Sequence, residues 1–157
     1  MPSLIGAWVA GLHDPDRTVS RSAEEAFQTI FSTAEKQANV SKVYQQQITE
    51  FARDALLNES EKTLSDERST SAEDADAKYQ RLVASAIAVI NDMLTNLSES
   101  DLQKQHEVYD EILSNSKFWE HTSSTDASVR RFLFRLLRTC LDTRPGKFEA
   151  EVQCNIT

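Results

Sequence analysis

Apolar residues fall at helical spacing along almost the whole chain. Leu4, Ile5, Trp8, Val9 and Leu12 recur at intervals of one, three and four, the pattern of one apolar helix face. Gly11-Leu12-His13-Asp14-Pro15-Asp16 breaks that helix, because a residue preceding proline is disfavoured in the α region. Asp16 or Thr18 then caps a second helix with an inner stripe of Val19, Ala23, Phe27, Ile30 and Phe31. After a corner at Ser32 to Lys36, where Ser32 and Glu35 fit a capping box, a third helix is predicted. It carries Val40, Val43, Tyr44, Ile48, Phe51, Ala52, Ala55 and Leu56.

Residues 57–76 are different in kind. Seven acids (Glu59, Glu61, Asp66, Glu67, Glu73, Asp74, Asp76) stand against Lys62 and Arg68, with Leu64 as the main apolar anchor. That composition predicts an acidic, flexible inter-helix loop, longer than bundle connections usually are. Ser71-Ala72-Glu73-Asp74 then resembles a capping box and opens a fourth helix. Its Tyr79, Leu82, Val83, Ala86, Ile87, Val89, Ile90, Met93 and Leu94 cover more than one face, as expected of a helix buried between neighbours. A narrower stripe follows in Leu102, His106, Val108, Tyr109, Ile112 and Leu113, then a short helix ending in Phe118-Trp119. The last strong helix runs from Asp126 with Val129, Phe132, Leu133, Leu136 and Leu137 inward, and Thr143-Arg144-Pro145-Gly146 stops it.

Two of these helices share a signature. Trp8, Asp16, Val19 and Arg21 are echoed by Trp119, Asp126, Val129 and Arg131, with the Asp three residues before the Val and the Arg two after it. Repeated helix pairs of this kind predict an all-α fold, a HEAT/ARM-like α-solenoid of antiparallel helix pairs. Residues 1–157 are expected to be one all-helical segment of a longer solenoid. An apolar helix opening at Leu4, with no room for a cap, leads to the expectation of chain upstream. Phe148, Val152 and Ile156, at intervals of four, either open a further helix or fray.

Composition narrows the function classes. Three glycines and three prolines in 157 residues disfavour a turn-rich β architecture. A net charge of −8 predicts no broad attraction to nucleic acid or anionic membrane. No stretch approaches the length of a membrane span and the N-terminus lacks a basic leader region, so a cytosolic (cytoplasmic) location is expected, without membrane partner. Cys140 and Cys154 are too few for a disulfide framework and read as reduced thiols, Cys140 as a small core residue. His13, His106 and His121 sit apart from any nucleophile elbow, and scattered glycines cannot cradle a phosphate. Neither zinc ligation by His121, Cys140 and Cys154 nor a calcium loop over Asp14 to Glu25 fits, since Val19 falls where such a loop needs glycine. No catalytic residue, cofactor, metal or small-molecule substrate is therefore expected within these residues.

The remaining signal is a basic ridge. Between Val129 and Lys147 six cationic side chains face one acid, Asp142, and Arg131, Arg135 and Arg138 share a helix face with Arg130 beside them. Arg130, Arg131, Arg135 and Arg138 form a candidate binding ridge for a phosphate backbone or an acidic partner. The competing explanation is intramolecular: pairing with neighbouring acids and complementing the negative helix C-terminus.

The blocks Leu4-Ile5-Gly6-Ala7-Trp8, Asp16-Arg17-Thr18-Val19-Ser20-Arg21, Thr63-Leu64-Ser65-Asp66-Glu67-Arg68, Asp74-Ala75-Asp76-Ala77-Lys78-Tyr79 and Ser128-Val129-Arg130-Arg131 with Leu136-Leu137-Arg138-Thr139-Cys140 carry a resemblance. In order and spacing they resemble the N-terminal region of the listerin family, large RING-type E3 ubiquitin ligases. The resemblance implies a long HEAT-like solenoid with a zinc-binding RING far away at the C-terminus. It implies that a ubiquitin-conjugating enzyme is met only through that RING, which this chain lacks. It further implies a role in ribosome-associated quality control, where nascent chains stalled on the large (60S) ribosomal subunit are ubiquitinated. The N-terminal region would then be a non-catalytic ribosome-docking segment, near ribosomal RNA and the factor that recognises exposed peptidyl-tRNA. The alternative is a structural solenoid spacer or protein–protein interaction module without ribosome contact.

Overall fold

The computed structural model describes residues 4–65 and 70–143, and among these every regular element is helical. In chain order they are α1 (Leu4–Leu12), α2 (Arg17–Ile30), α3 (Ala34–Val43), α4 (Gln45–Leu57), α5 (Glu61–Leu64), α6 (Ala72–Asn96), α7 (Glu99–Gln103), α8 (His106–Ser114), α9 (Ser116–Glu120), a 3-10 turn at His121–Ser123, and α10 (Ala127–Thr143). The expected stop at Arg144-Pro145-Gly146, and Cys154 and Phe148 to Ile156, lie outside the described residues.

The helix starts are written locally. Asp16 accepts the Thr18 amide at 2.8 Å, Ser71 the Asp74 amide at 3.1 Å and Ser98 the Asp101 amide at 3.2 Å. Each satisfies an amide that the first turn leaves without an intrahelical partner. The corner before α3 is capped by Thr33, which accepts the Lys36 amide at 3.2 Å, not by the expected Ser32.

Helix α6 is the axis of the core. It packs against α1, α4, α5 and α10, and its Val83, Ala84, Ala86, Ile87, Val89, Ile90 and Met93 are all sealed from solvent. An element with neighbours on several sides needs apolar residues around its circumference, which explains the breadth of its stripe. From the other side of this interface, α10 contributes Val129, Leu133 and Leu136, each with no exposed surface. Burying one such leucine is worth about 1.5–3 kcal/mol relative to exposure.

Three expectations need correction. The third helix is two, because Tyr44 (φ −105°, ψ 20°) ends α3 and begins α4. Val40 and Ile48 are buried on either side of the break, so the apolar period runs on through a corner unmarked by Gly or Pro. The break also turns Gln45 inward, where its Nε2 donates to the Tyr109 hydroxyl at 3.1 Å. The stripe from Leu102 to Leu113 is likewise divided, between α7 and α8. In α2, Val19 and Ile30 are exposed, and only Phe27 is buried. Among the larger interfaces α2 meets α1 alone, so a narrow strip through Ala23, Phe27 and Phe31 is covered.

Of residues 57–76, Glu61–Leu64 form a helical turn against α6, and α6 itself starts at Ala72. Between them, 66–69 lie outside the described residues.

Candidate functional site

The four ridge arginines do not behave alike. Arg130 turns back on its own helix start, where its Nη1 donates to the Ser124 carbonyl at 2.6 Å. The Arg131 guanidinium lies 5.0 Å from the centroid of the Phe132 ring, a cation–π distance, and remains exposed. Arg138 pairs loosely with Asp142 at 3.8 Å, both side chains open to water, an arrangement that contributes little to stability. Arg135 is exposed and forms no ion pair among the described residues.

Arg131, Phe134, Arg138 and Leu141 follow one another at intervals of three and four, so they form one strip on the outer side of α10. Phe134 is 58% exposed and Leu141 46%. The sequence had pointed to the cations of this strip but not to its apolar members, which fall outside the inward stripe of α10.

A polar cleft opens beside this strip, between the α1–α2 turn and helices α6 and α10. Leu12, His13, Asp14, Ser20, Ala88, Asn91, Asp92, Phe132 and Arg135 line it. Asp14 is held there by Arg81 of α6, whose Nη2 reaches both carboxylate oxygens, at 3.1 and 3.0 Å, while Nε lies 3.2 Å from Oδ1. This fork-to-carboxylate pair fixes the first turn of the chain to the central helix. Asp14 also accepts the Asp16 amide at 2.8 Å, so it shapes the turn while Asp16 caps the helix. Burial pushes the His13 imidazole pKa below its ordinary value, against a smaller upward pull from Asp92, and leaves the ring neutral at pH 7. His13 and the Asp14–Arg81 pair could be found in the sequence only as a turn histidine and a turn aspartate, because their partners lie on α6.

Elsewhere the polar clusters are structural. Asp101, buried at the start of α7, is met by Lys104 at 2.6 Å, Ser98 at 2.8 Å and Lys42 of α3 at 3.4 Å. These contacts, the Lys104 hydrogen bond foremost, bring its pKa down to about 2. Desolvation lowers the pKa of His121, the buried first residue of the 3-10 turn. Cys140 is buried on α10. Among the described residues, no three or more His, Cys, Asp or Glu side chains converge to hold a metal ion, and no helix is long and apolar enough to cross a membrane.

Fold and site together define an all-α domain organised on one central helix, with a mixed cationic and apolar strip on its last helix. The chain belongs to the listerin family. It matches the family described as E3 ubiquitin-protein ligase listerin, N-terminal domain, over residues 1–154. It is similar to E3 ubiquitin-protein ligase listerin of Neurospora crassa, 32% identical over 153 residues, covering 98% of this chain and 9% of that protein. The listerins of Xenopus tropicalis and Mus musculus are 30% and 28% identical over 151 residues, each covering 96% of this chain. The chain thus spans about 9% of the length of the first of these relatives.

Proposed function

We propose that this chain is a ribosome-docking segment of a listerin-type E3 ubiquitin ligase, itself without catalytic residues. In this reading the helix pairs are one segment of a longer HEAT/ARM-like solenoid. The segment holds the ligase on the large ribosomal subunit in the cytosol, close to the factor that recognises peptidyl-tRNA. Transfer of ubiquitin falls to a distant zinc-binding RING, which recruits the ubiquitin-conjugating enzyme.

The observation that carries this reading is the membership of residues 1–154 in the listerin N-terminal family. The exposed strip of α10 supplies a contact surface on an otherwise acidic chain. Arg131 and Arg138 offer cations for ribosomal RNA phosphates, and Phe134 offers a face on which a base can stack. Arg130 is already committed to Ser124, so its part in the ridge is to support the helix start.

Co-sedimentation with isolated large ribosomal subunits tests this. The variant R131E/R138E is expected to pellet several-fold less than the parent, with the deficit growing at lower salt, because charge reversal at exposed residues leaves the core intact. A folded variant that pellets undiminished would remove the ridge from the interface. A parent chain that does not pellet at all would leave the spacer reading, in which these repeats only set the spacing of the rest of the protein.

A further inference from the structure

The cleft between the α1–α2 turn and α10 has a feature that neither the ridge nor ribosome docking uses. Most of its carboxylate oxygens already accept hydrogen bonds, and its main donors meet no carboxylate. Both Asp14 oxygens are engaged by Arg81, and one of them also accepts the Asp16 amide. Asp92 Oδ1 accepts from the Asn96 side-chain amide at 2.8 Å, which leaves Oδ2 as the one carboxylate oxygen of the lining without a hydrogen bond among the described residues. On the donor side, Thr139 gives its hydroxyl proton to Asn91 Oδ1 at 2.6 Å, so the Asn91 amide nitrogen remains to donate. The Arg135 guanidinium has no carboxylate within ion-pair distance among the described residues. The His13 ring is neutral at pH 7 and still carries one N–H.

Size and walls restrict what can enter. The cleft holds about 290 Å³, at the lower edge of the roughly 300–1,000 Å³ of small-molecule pockets, so it suits one or two side chains. Leu12, Ala88 and Phe132 give it an apolar lining. A guanidinium beside an apolar wall matches a carboxylate on a short aliphatic stem, which the planar fork of arginine grips with two hydrogen bonds. A nucleic-acid strand fits less well. It brings one negative charge per nucleotide onto a chain of net charge −8, beside the Asp92 carboxylate of the lining. A single acidic side chain brings one charge and places it on Arg135.

We propose that this cleft is a protein-docking site that takes a glutamate or aspartate side chain from a partner protein, gripped by Arg135 and assisted by Asn91. Neighbouring apolar residues of the partner segment lie on Leu12 and Phe132. The site joins the first helix pair to the last helix, so a bound partner would brace the two ends of the domain against each other. It does not depend on ribosome docking, and the α10 strip is not part of it.

The test is an amide-shift NMR titration of the full 157-residue chain with acetyl-Leu-Glu-amide. Its matched controls are acetyl-Leu-Gln-amide and a short oligouridylate. The glutamate probe is expected to move the amides around His13, Asn91 and Phe132, and the glutamine probe to bind at least tenfold more weakly. R135Q removes the response, N91A weakens it, and K36Q on α3 leaves it unchanged. Retained thermal stability shows that R135Q is folded, as expected at an exposed position. Equal response to the two peptides, a response that survives R135Q, or no response at tens of millimolar probe would overturn the proposal. So would preferential binding of the oligouridylate in the cleft, which would make it a phosphate site instead. Pelleting with ribosomal subunits is unaffected by any of these outcomes, so failure here is distinguishable from failure of the docking reading.

Discussion

The two tryptophan-led units of this domain share a sequence signature and resolve it into different structures. In both, the aspartate caps a helix: Asp16 binds the Thr18 amide at 2.8 Å, and Asp126 binds those of Ser128 and Val129 at 2.8 and 3.0 Å. In both, the indole N–H donates to a main-chain carbonyl, Trp8 to Ala23 at 3.3 Å and Trp119 to Leu113 at 2.7 Å. The valines then part company, since Val19 is 38% exposed and Val129 is fully buried. The arginines do too: Arg21 pairs with Glu25 in open solvent, and Arg131 lies over Phe132. What the motif specifies is local, a cap and an indole anchor. What decides burial is the neighbour, α6 for α10 and α1 alone for most of α2.

The largest expected effect tests that distinction directly. Leu133→Ala, at the α10–α6 interface, should destabilise the domain by about 2–5 kcal/mol, as buried leucine truncations do. Ile30→Ala at the 60% exposed end of α2 should stay within about 0.5 kcal/mol. Urea unfolding of both variants measures the difference. Comparable losses would mean that α2 is covered by something other than α1, and the contrast between the units would fail.

A second test sharpens the same contrast from the side of α1, whose hold on α4 lets it serve as the platform for α2. Gly6 is buried, and a Cβ there would stand 2.5 Å from Phe51 Cβ and 3.1 Å from the Gln47 carbonyl. The backbones of α1 and α4 approach closely because this side chain is missing. Gly6→Ala gains helix propensity yet should cost about 1–3 kcal/mol by overpacking. Gly11→Ala, with its nearest contact at an ordinary 3.5 Å, should be neutral or stabilising. A stabilising Gly6→Ala, read by thermal unfolding, would show that the α1–α4 contact yields easily.

Much of the architecture was legible from period and punctuation. The all-helical class, the caps at Asp16 and Ser71, and the burial of α6 between neighbours follow from residues adjacent in sequence or from one helix's own circumference. The missed features have a common physical origin in long-range geometry. Tyr44 breaks a helix without Gly or Pro because the core wants both Val40 and Ile48. Phe134 and Leu141 are large apolar residues that stand out of register with the inward stripe, on the face of α10 away from α6. The basic ridge was legible as spacing, yet the turning of Arg130 to Ser124 and of Arg135 to the cleft was not. The cleft depends on Asp14 and Arg81 meeting across 67 positions, a juxtaposition with no local signal.

The smallest effect concerns what the two units share. If the aspartate is a local device in both, Asp126→Ala should cost about 0.5–2 kcal/mol, the usual range for a lost N-cap, despite the deep burial of α10's inner face. Asp16→Ala should act in the same direction on the exposed α2. Asp16 adds a pH signature, because hydrogen bonding of its carboxylate to the Thr18 amide, the leading cause, lowers its pKa below the ordinary aspartate value. A carboxylate whose folded pKa is depressed stabilises fully above its unfolded pKa of about 3.9. That contribution declines as pH falls through the folded value, so the loss belongs to the acid side of about pH 4. Asp16→Asn keeps a capping oxygen but cannot titrate. Its stability should therefore approach that of the parent as pH falls below about 4, with the gap widest near neutrality if the charge itself contributes through the helix dipole. Denaturant midpoints of the two proteins from pH 7 to pH 3 decide the matter. A gap that stays constant across that range would place the cap's contribution in hydrogen-bond geometry alone, and the likeness between Asp16 and Asp126 would then rest on shape, not charge.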